Sequence, residues 1–173
     1  MTGNSQTYSS IEEILGAFSA IANDGLILML GDTPLQYQKA VLSGMSALGR
    51  LVINLPEQSV RKRSEDLSQS DLRVAVHCQD SCEFLHDVKQ HRLSMVVVHS
   101  QDINETLFGQ VASMLLDGGV LIVISSANSD VADFANKAGT FRRANLGSCE
   151  LFVKITKPLR SRRGGRKTKV LSQ

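Results

Sequence analysis

The 173-residue chain has no tryptophan, two tyrosines, three prolines and three cysteines. With so few large aromatics it lacks the platforms on which unpaired bases stack, which argues against a surface for single-stranded nucleic acid. Cys78, Cys82 and Cys149 are odd in number and match no disulfide framework, so reduced thiols in a cytosol-like compartment are expected. No apolar run approaches the roughly 20 residues that span a bilayer. Met1 to Ser10 is polar, without the basic-then-apolar pattern of a signal peptide. The expectation is a soluble, cytoplasmic protein that makes no membrane contact.

What is present is enough apolar material for one core. At 42% hydrophobic residues, the length suits a single domain rather than two. The net charge of +2 hides an asymmetry: Lys157, Arg160, Arg162, Arg163, Arg166, Lys167 and Lys169 are seven of the 19 basic residues. The remaining 12 face all 17 acidic residues, so residues 1–156 carry −5. The division expected is a folded domain over 1–156 and a basic flexible tail or linker over 157–173. Lys157–Lys169 is also a candidate nucleic-acid contact through phosphate charge, although no recognition motif accompanies it.

Along the chain, Ser10 and Glu13 form a capping-box pair before Ile11, Ile14, Leu15, Phe18 and Ile21, which recur at helical spacing until Asn23-Asp24-Gly25. Leu26–Leu30 is an uninterrupted apolar run that fits a central parallel strand, ending at Gly31-Asp32-Thr33-Pro34. A helix over Leu35–Leu48, a strand over Arg50–Leu55 and a polar helix or loop over Val60–Ser70 follow. Further strands are expected at Leu72–Val76 and Met95–His99, with a short helix around Cys82–Val88 between them. A helix-periodic segment from Phe108 through Leu116 then turns at Asp117-Gly118-Gly119 into a strand over Val120–Ile124. Phe141–Leu146 and Glu150–Ile155 pair through Gly147-Ser148. Alternating strands and helices predict a doubly wound, mainly parallel α/β sheet of seven strands, and the short last connection makes its closing pair an antiparallel hairpin.

That order, with Leu115-Leu116-Asp117-Gly118-Gly119-Val120-Leu121 before the fifth strand, resembles the class I methyltransferases that use S-adenosylmethionine, a Rossmann-type fold. The resemblance covers about residues 10–157. It implies a glycine-rich cofactor loop at Met29–Leu35, where only Gly31 fits the family pattern and Pro34 and Leu35 crowd the backbone. It places Asn54 where the family has an acidic residue for the ribose hydroxyls, and Asp80 where an acidic residue often lies near the adenine. His99 stands in place of an aspartate used for metal or catalysis. Gly31, Asn54 and Asp80 are therefore the candidate cofactor residues, and His99 the candidate base if the domain is active. The missing glycines and the ending Phe152–Pro158 with its basic continuation also resemble the N-terminal domain of anamorsin-type proteins, which act in cytosolic iron–sulfur cluster assembly. Against that stand a complete second strand and the absence of a cysteine-rich part, so the chain would be the front domain of a longer protein.

The expected function is a degenerate, non-catalytic methyltransferase-like domain without cofactor that binds a protein partner. The alternative is an active S-adenosylmethionine-dependent methyltransferase for a small molecule or RNA. Cys78, Cys82 and His86 fall at four-residue intervals but match no standard zinc pattern, so no metal site is assigned. Ser125 and Ser126 lack a nucleophile-elbow setting and read as the start of a polar loop.

Overall fold

Leu26–Leu30 forms strand β1, and its side chains contain no polar group that could face water at no cost, so the strand must be covered on both sides. Ile27, Leu28, Met29 and Leu30 are each no more than 1% exposed. The fold comes from a computed structural model that describes residues 10–22, 24–56, 58–124 and 130–155, with 58–63 as backbone alone. Around β1 the chain lays down α1 (Ile11–Ala22), α2 (Leu35–Gly44), β2 (Arg50–Leu55), α3 (Gln58–Ser70), β3 (Val74–Cys78), α4 (Ser81–Asp87), β4 (Leu93–His99), α5 (Glu105–Met114), β5 (Leu115–Ile124), α6 (Val131–Ala138), β6 (Phe141–Asn145) and β7 (Cys149–Lys154).

The strands make one seven-stranded sheet in the order β3-β2-β1-β4-β5-β7-β6. All pairings are parallel except those of β7 with β5 and with β6. Strand alternation sorts the core into two layers. Ile27, Met29, Leu51, Ile53, Met95 and Val97 pack with Ile14, Leu15, Val41 and Leu67 of α1, α2 and α3. Leu28, Leu30, Val96, Val98, Leu121 and Val123 pack with Phe84, Leu107, Phe108, Val111 and Val131 of α4, α5 and α6. The doubly wound sheet and its antiparallel hairpin are as the sequence predicts.

Several boundaries differ, each for a local reason. The α2 helix stops at Gly44 instead of Leu48, because the Ser46 hydroxyl accepts the N–H groups of Leu48 and Gly49 and holds a turn. Gly44 itself meets α1 so closely that a Cβ there would stand 2.1 Å from the Gly16 carbonyl oxygen. β3 starts at Val74, not Leu72, which is 98% exposed. Asp71 takes the Arg73 N–H at 2.9 Å and delays the strand by a turn. In β5, Leu115 pairs with Leu93, the chain swings out through Leu116–Gly119, and Val120 resumes pairing with Met95. Gly118 has φ +80°, which its lack of a side chain allows. The Ser10 cap is present, its hydroxyl accepting the Glu13 N–H at 3.2 Å.

Ile21, Leu48, Leu72 and Leu116 are the exposed large hydrophobics among the described residues. All four sit where chain segments turn into strands, at the N-terminal edge of the parallel strands. No helix among the described residues is long and apolar enough to cross a membrane. The basic stretch over 157–173 lies outside the described residues.

Arg73 ties two of the edge turns together. Its guanidinium holds both Asp71 carboxylate oxygens and donates through Nη1 to the carbonyls of Met45 and Ser46 at 3.2 and 2.9 Å. The side-chain hydrogen bond from Arg73 holds the Asp71 carboxyl down at about 2. Arg73→Ala should lower stability in urea melts by about 1–2 kcal/mol after allowance for solvent screening. Because the folded-state pKa of Asp71 is depressed, its contribution is complete above the normal carboxylate range and is lost as pH falls towards 2. The gap between variant and wild type should therefore narrow on acidification below pH 4.

Candidate functional site

In a doubly wound sheet the ligand crevice lies beyond the carboxyl ends of the strands where the strand order reverses, here between β1 and β4. Gly31 leaves β1 with φ +84° and donates its N–H to the Asn54 carbonyl at 3.0 Å. Thr33 N–H then bonds the Gly31 carbonyl at 2.8 Å, so the chain turns sharply away from the sheet. Pro34 precedes α2 as its N-cap, with no side-chain cap bond. Below it, Gln38 donates to the Thr33 carbonyl at 3.0 Å and accepts from the Ser64 hydroxyl at 2.9 Å, a buried polar chain that fixes the loop from beneath.

The space over Gly31 is filled by a residue the sequence reading did not single out. A Cβ on Gly31 would stand 2.4 Å from Oδ2 of Asp102, so that carboxylate lies directly on the glycine backbone. Asp102 sits just after β4, its N–H bonded to the His99 carbonyl at 3.0 Å. Its pKa is raised, first by desolvation against the loop; the Asp32 carboxylate raises it further and His99 opposes both. The signal available in the sequence was a polar triplet, Ser100-Gln101-Asp102, at the end of a strand beside the switch point.

The four anticipated residues gather at this end of the sheet in two groups. His99, Asp102 and Gly31 stand on one side. On the other, Asn54 is fully buried and its Nδ2 donates to the Gln79 carbonyl at 3.0 Å, next to Asp80. Asp80 is the N-cap of α4: its Oδ1 accepts from Cys82 and Glu83 N–H at 2.9 and 3.1 Å. Asn54 Oδ1 and His99 Nε2 are buried without a hydrogen-bond partner among the described residues.

The cysteines do other work. Cys78 lies in β3 while Cys82 and His86 lie in α4, so the three share no helix face. No group of three potential metal ligands occurs among the described residues. Cys149 is fully buried in the α1–α3 layer, and burial pushes its thiol up to about 11, leaving negligible thiolate at neutral pH. Ser125 and Ser126 lie outside the described residues.

No protein-family model and no curated protein sequence matches this chain. Solved structures do. The fold is similar to a methyltransferase from Geobacter sulfurreducens, with TM-score 0.68 and 15% identity over 84% of this chain and 78% of that one. It is also similar to the O-methyltransferase TomG from Streptomyces achromogenes, involved in tomaymycin synthesis and solved with S-adenosylmethionine, at TM-score 0.63 and 16% identity over 88% and 83% of the two chains. A third is an S-adenosylmethionine-dependent O-methyltransferase from Thermotoga maritima, at TM-score 0.64 and 11% identity over 87% and 67%.

Two outcomes follow from the burial pattern. Because the Asp102 pKa is raised, folding disfavours its charged form, so stability is greatest below the unfolded carboxylate pKa and declines as pH rises through the folded one. Asp102→Asn should accordingly melt higher than wild type at pH 7, with the advantage vanishing near pH 3.5; a lower melting temperature at pH 7 would contradict it. Iodoacetamide at pH 8 should label Cys78 and Cys82 in the native protein and reach Cys149 only after denaturation, as peptide mass mapping would show. The chain has the fold of class I, S-adenosylmethionine-dependent methyltransferases.

Proposed function

We propose that this chain is a degenerate, non-catalytic member of that fold that serves by binding a protein partner, as an anamorsin-like front domain in cytosolic iron–sulfur cluster assembly. The observation that carries the reading is the Asp102 carboxylate on Gly31. A nucleoside cofactor needs bare backbone at that loop, and here a side chain occupies the approach. The remaining contacts agree. Asn54 is covered and spends its amide on Gln79, Asp80 is spent on the α4 N-terminus, and Pro34 offers no N–H. In this arrangement the residues do not fit S-adenosylmethionine, and no methyl-transfer step is derived from them.

The partner side of the proposal is supported by the apolar residues left in water, Ile21, Leu48, Leu72 and Leu116. The iron–sulfur placement rests on the resemblance of Phe152–Pro158 with its basic continuation and on the lost glycines. Nucleic-acid contact through Lys157–Lys169 remains part of the proposal as a property of the basic stretch alone.

A second reading has its own observation. The buried, unbonded Asn54 Oδ1 and His99 Nε2 are atoms that a ligand could satisfy, and the carboxylates of Asp32 and Asp102 suit a sulfonium or ammonium cation. Under it, Asp102 swings off Gly31 and the domain is an active methyltransferase with His99 as base.

Calorimetric titration with S-adenosylmethionine separates the two. Wild type should give no binding heat up to about 1 mM cofactor, which corresponds to less than roughly 4 kcal/mol of affinity. Micromolar binding by wild type would overturn the non-catalytic reading. Asp102→Ala tests the cause: weak binding gained by that variant alone identifies the carboxylate as the obstruction.

A further inference from the structure

The α4 side of the sheet is incompletely covered at its β3 end. With only seven residues, α4 packs against α5 and β2 and leaves β3 uncovered on this face. Ala75 and His77 of β3 are left exposed and Val52 of β2 half-buried. The result is a cavity of about 530 Å³ with Leu26, Leu28 and Val52 as floor and Phe84, Val88 and Leu93 as wall. It opens towards the N-terminal edge of the strands, away from Gly31 and Asp102.

Its rim carries charge of both signs. Arg50, His77 and His91 line it, with Asp24 as the single acid. Asp24 keeps its charge but is directed at Ser46, whose hydroxyl its Oδ1 accepts at 2.5 Å. Arg50 is fixed at the mouth by Nη1, which donates to the Leu48 and Gly49 carbonyls at 3.3 and 3.0 Å. Its Nε and Nη2 have no hydrogen-bond partner among the described residues. His77 lies with its ring tilted 44° against that of Phe84, centroids 5.1 Å apart, which steadies it at the wall.

We infer that this cavity is a binding site for an amphiphilic monoanion, a hydrocarbon body bearing one carboxylate. The walls would take the hydrocarbon, since sites of this size and lining bind small molecules chiefly through apolar contact. The carboxylate would meet the two free N–H directions of Arg50, a charge-assisted pairing, with His91 at the same end of the cavity; His77 lies level with Asn54 and lines the far end. A cationic amphiphile would be repelled by the same guanidinium. A neutral one would offer the exposed Arg50 guanidinium no opposite charge.

Titration of the full chain with octanoate, octanol and octylamine tests the inference by isothermal calorimetry. Octanoate should bind about threefold to fivefold more tightly than either comparator, the ratio expected from one charge pair at an exposed guanidinium. Arg50→Gln should erase that preference while leaving the melting temperature within a few degrees of wild type. Val52→Phe, which fills the floor, should weaken octanoate without altering the preference for anions. Equal affinity for the three probes, no binding by any of them in the millimolar range, or an unchanged preference in Arg50→Gln would each overturn it. Binding of S-adenosylmethionine has no bearing on these outcomes, because the crevice at Gly31 lies beyond the opposite ends of the strands.

Discussion

A short strand with no polar side chain governs this molecule. Burying each of Ile27, Leu28, Met29 and Leu30 contributes about 1.5–3 kcal/mol relative to exposure, and only a sheet clothed on both faces can bury all four. Parallel neighbours on both sides follow, since β2 and β4 must each return by a helical crossover. The reversal of strand order beside β1 then opens a crevice at its carboxyl end. Gly31 is therefore both the exit from a fully enclosed strand and the floor of the crevice where open α/β sheets usually gather ligands.

Most of this was readable because it is written in local pattern. β1, β2, β4 and the closing hairpin are apolar or alternating runs bounded by glycine, proline or Asn-type punctuation, whereas Asp117-Gly118-Gly119, which reads as a turn before the strand, lies inside β5 between the Leu115 and Val120 pairings. Helix α6 was not, although Val131, Phe134, Ala135 and Ala138 lie at helical spacing. It is short, and its N-cap Asp130 makes no side-chain cap bond. The start of β3 slipped because Leu72 is apolar yet exposed, and only the Asp71–Arg73 pair reveals that the strand begins later.

The site was legible in part. Gly31, Asn54, Asp80 and His99 do converge, because strand ends are placed by topology and topology was legible. Their chemistry was less so. Asp80 between a strand and a short helix is a cap by local rules, and its two N–H bonds show which use prevails. Asp102 escaped notice because its contact with Gly31 joins distant stretches of chain, and no periodicity encodes a carboxylate laid on a glycine. The same carboxylate sets the electrostatics of the crevice: its charge is opposed by that of Asp32 and favoured by His99.

The bare apolar side chains at the N-terminal edge give the domain a polarity of its own. Ile21, Leu48, Leu72 and Leu116 project from one end of the sheet, while Asp32 and Asp102 stand at the other. The apolar end is not bare of charge, since Asp24, Arg50, Asp71 and Arg73 stand at the same turns, so any surface that covers it has to match it in charge as well as in shape.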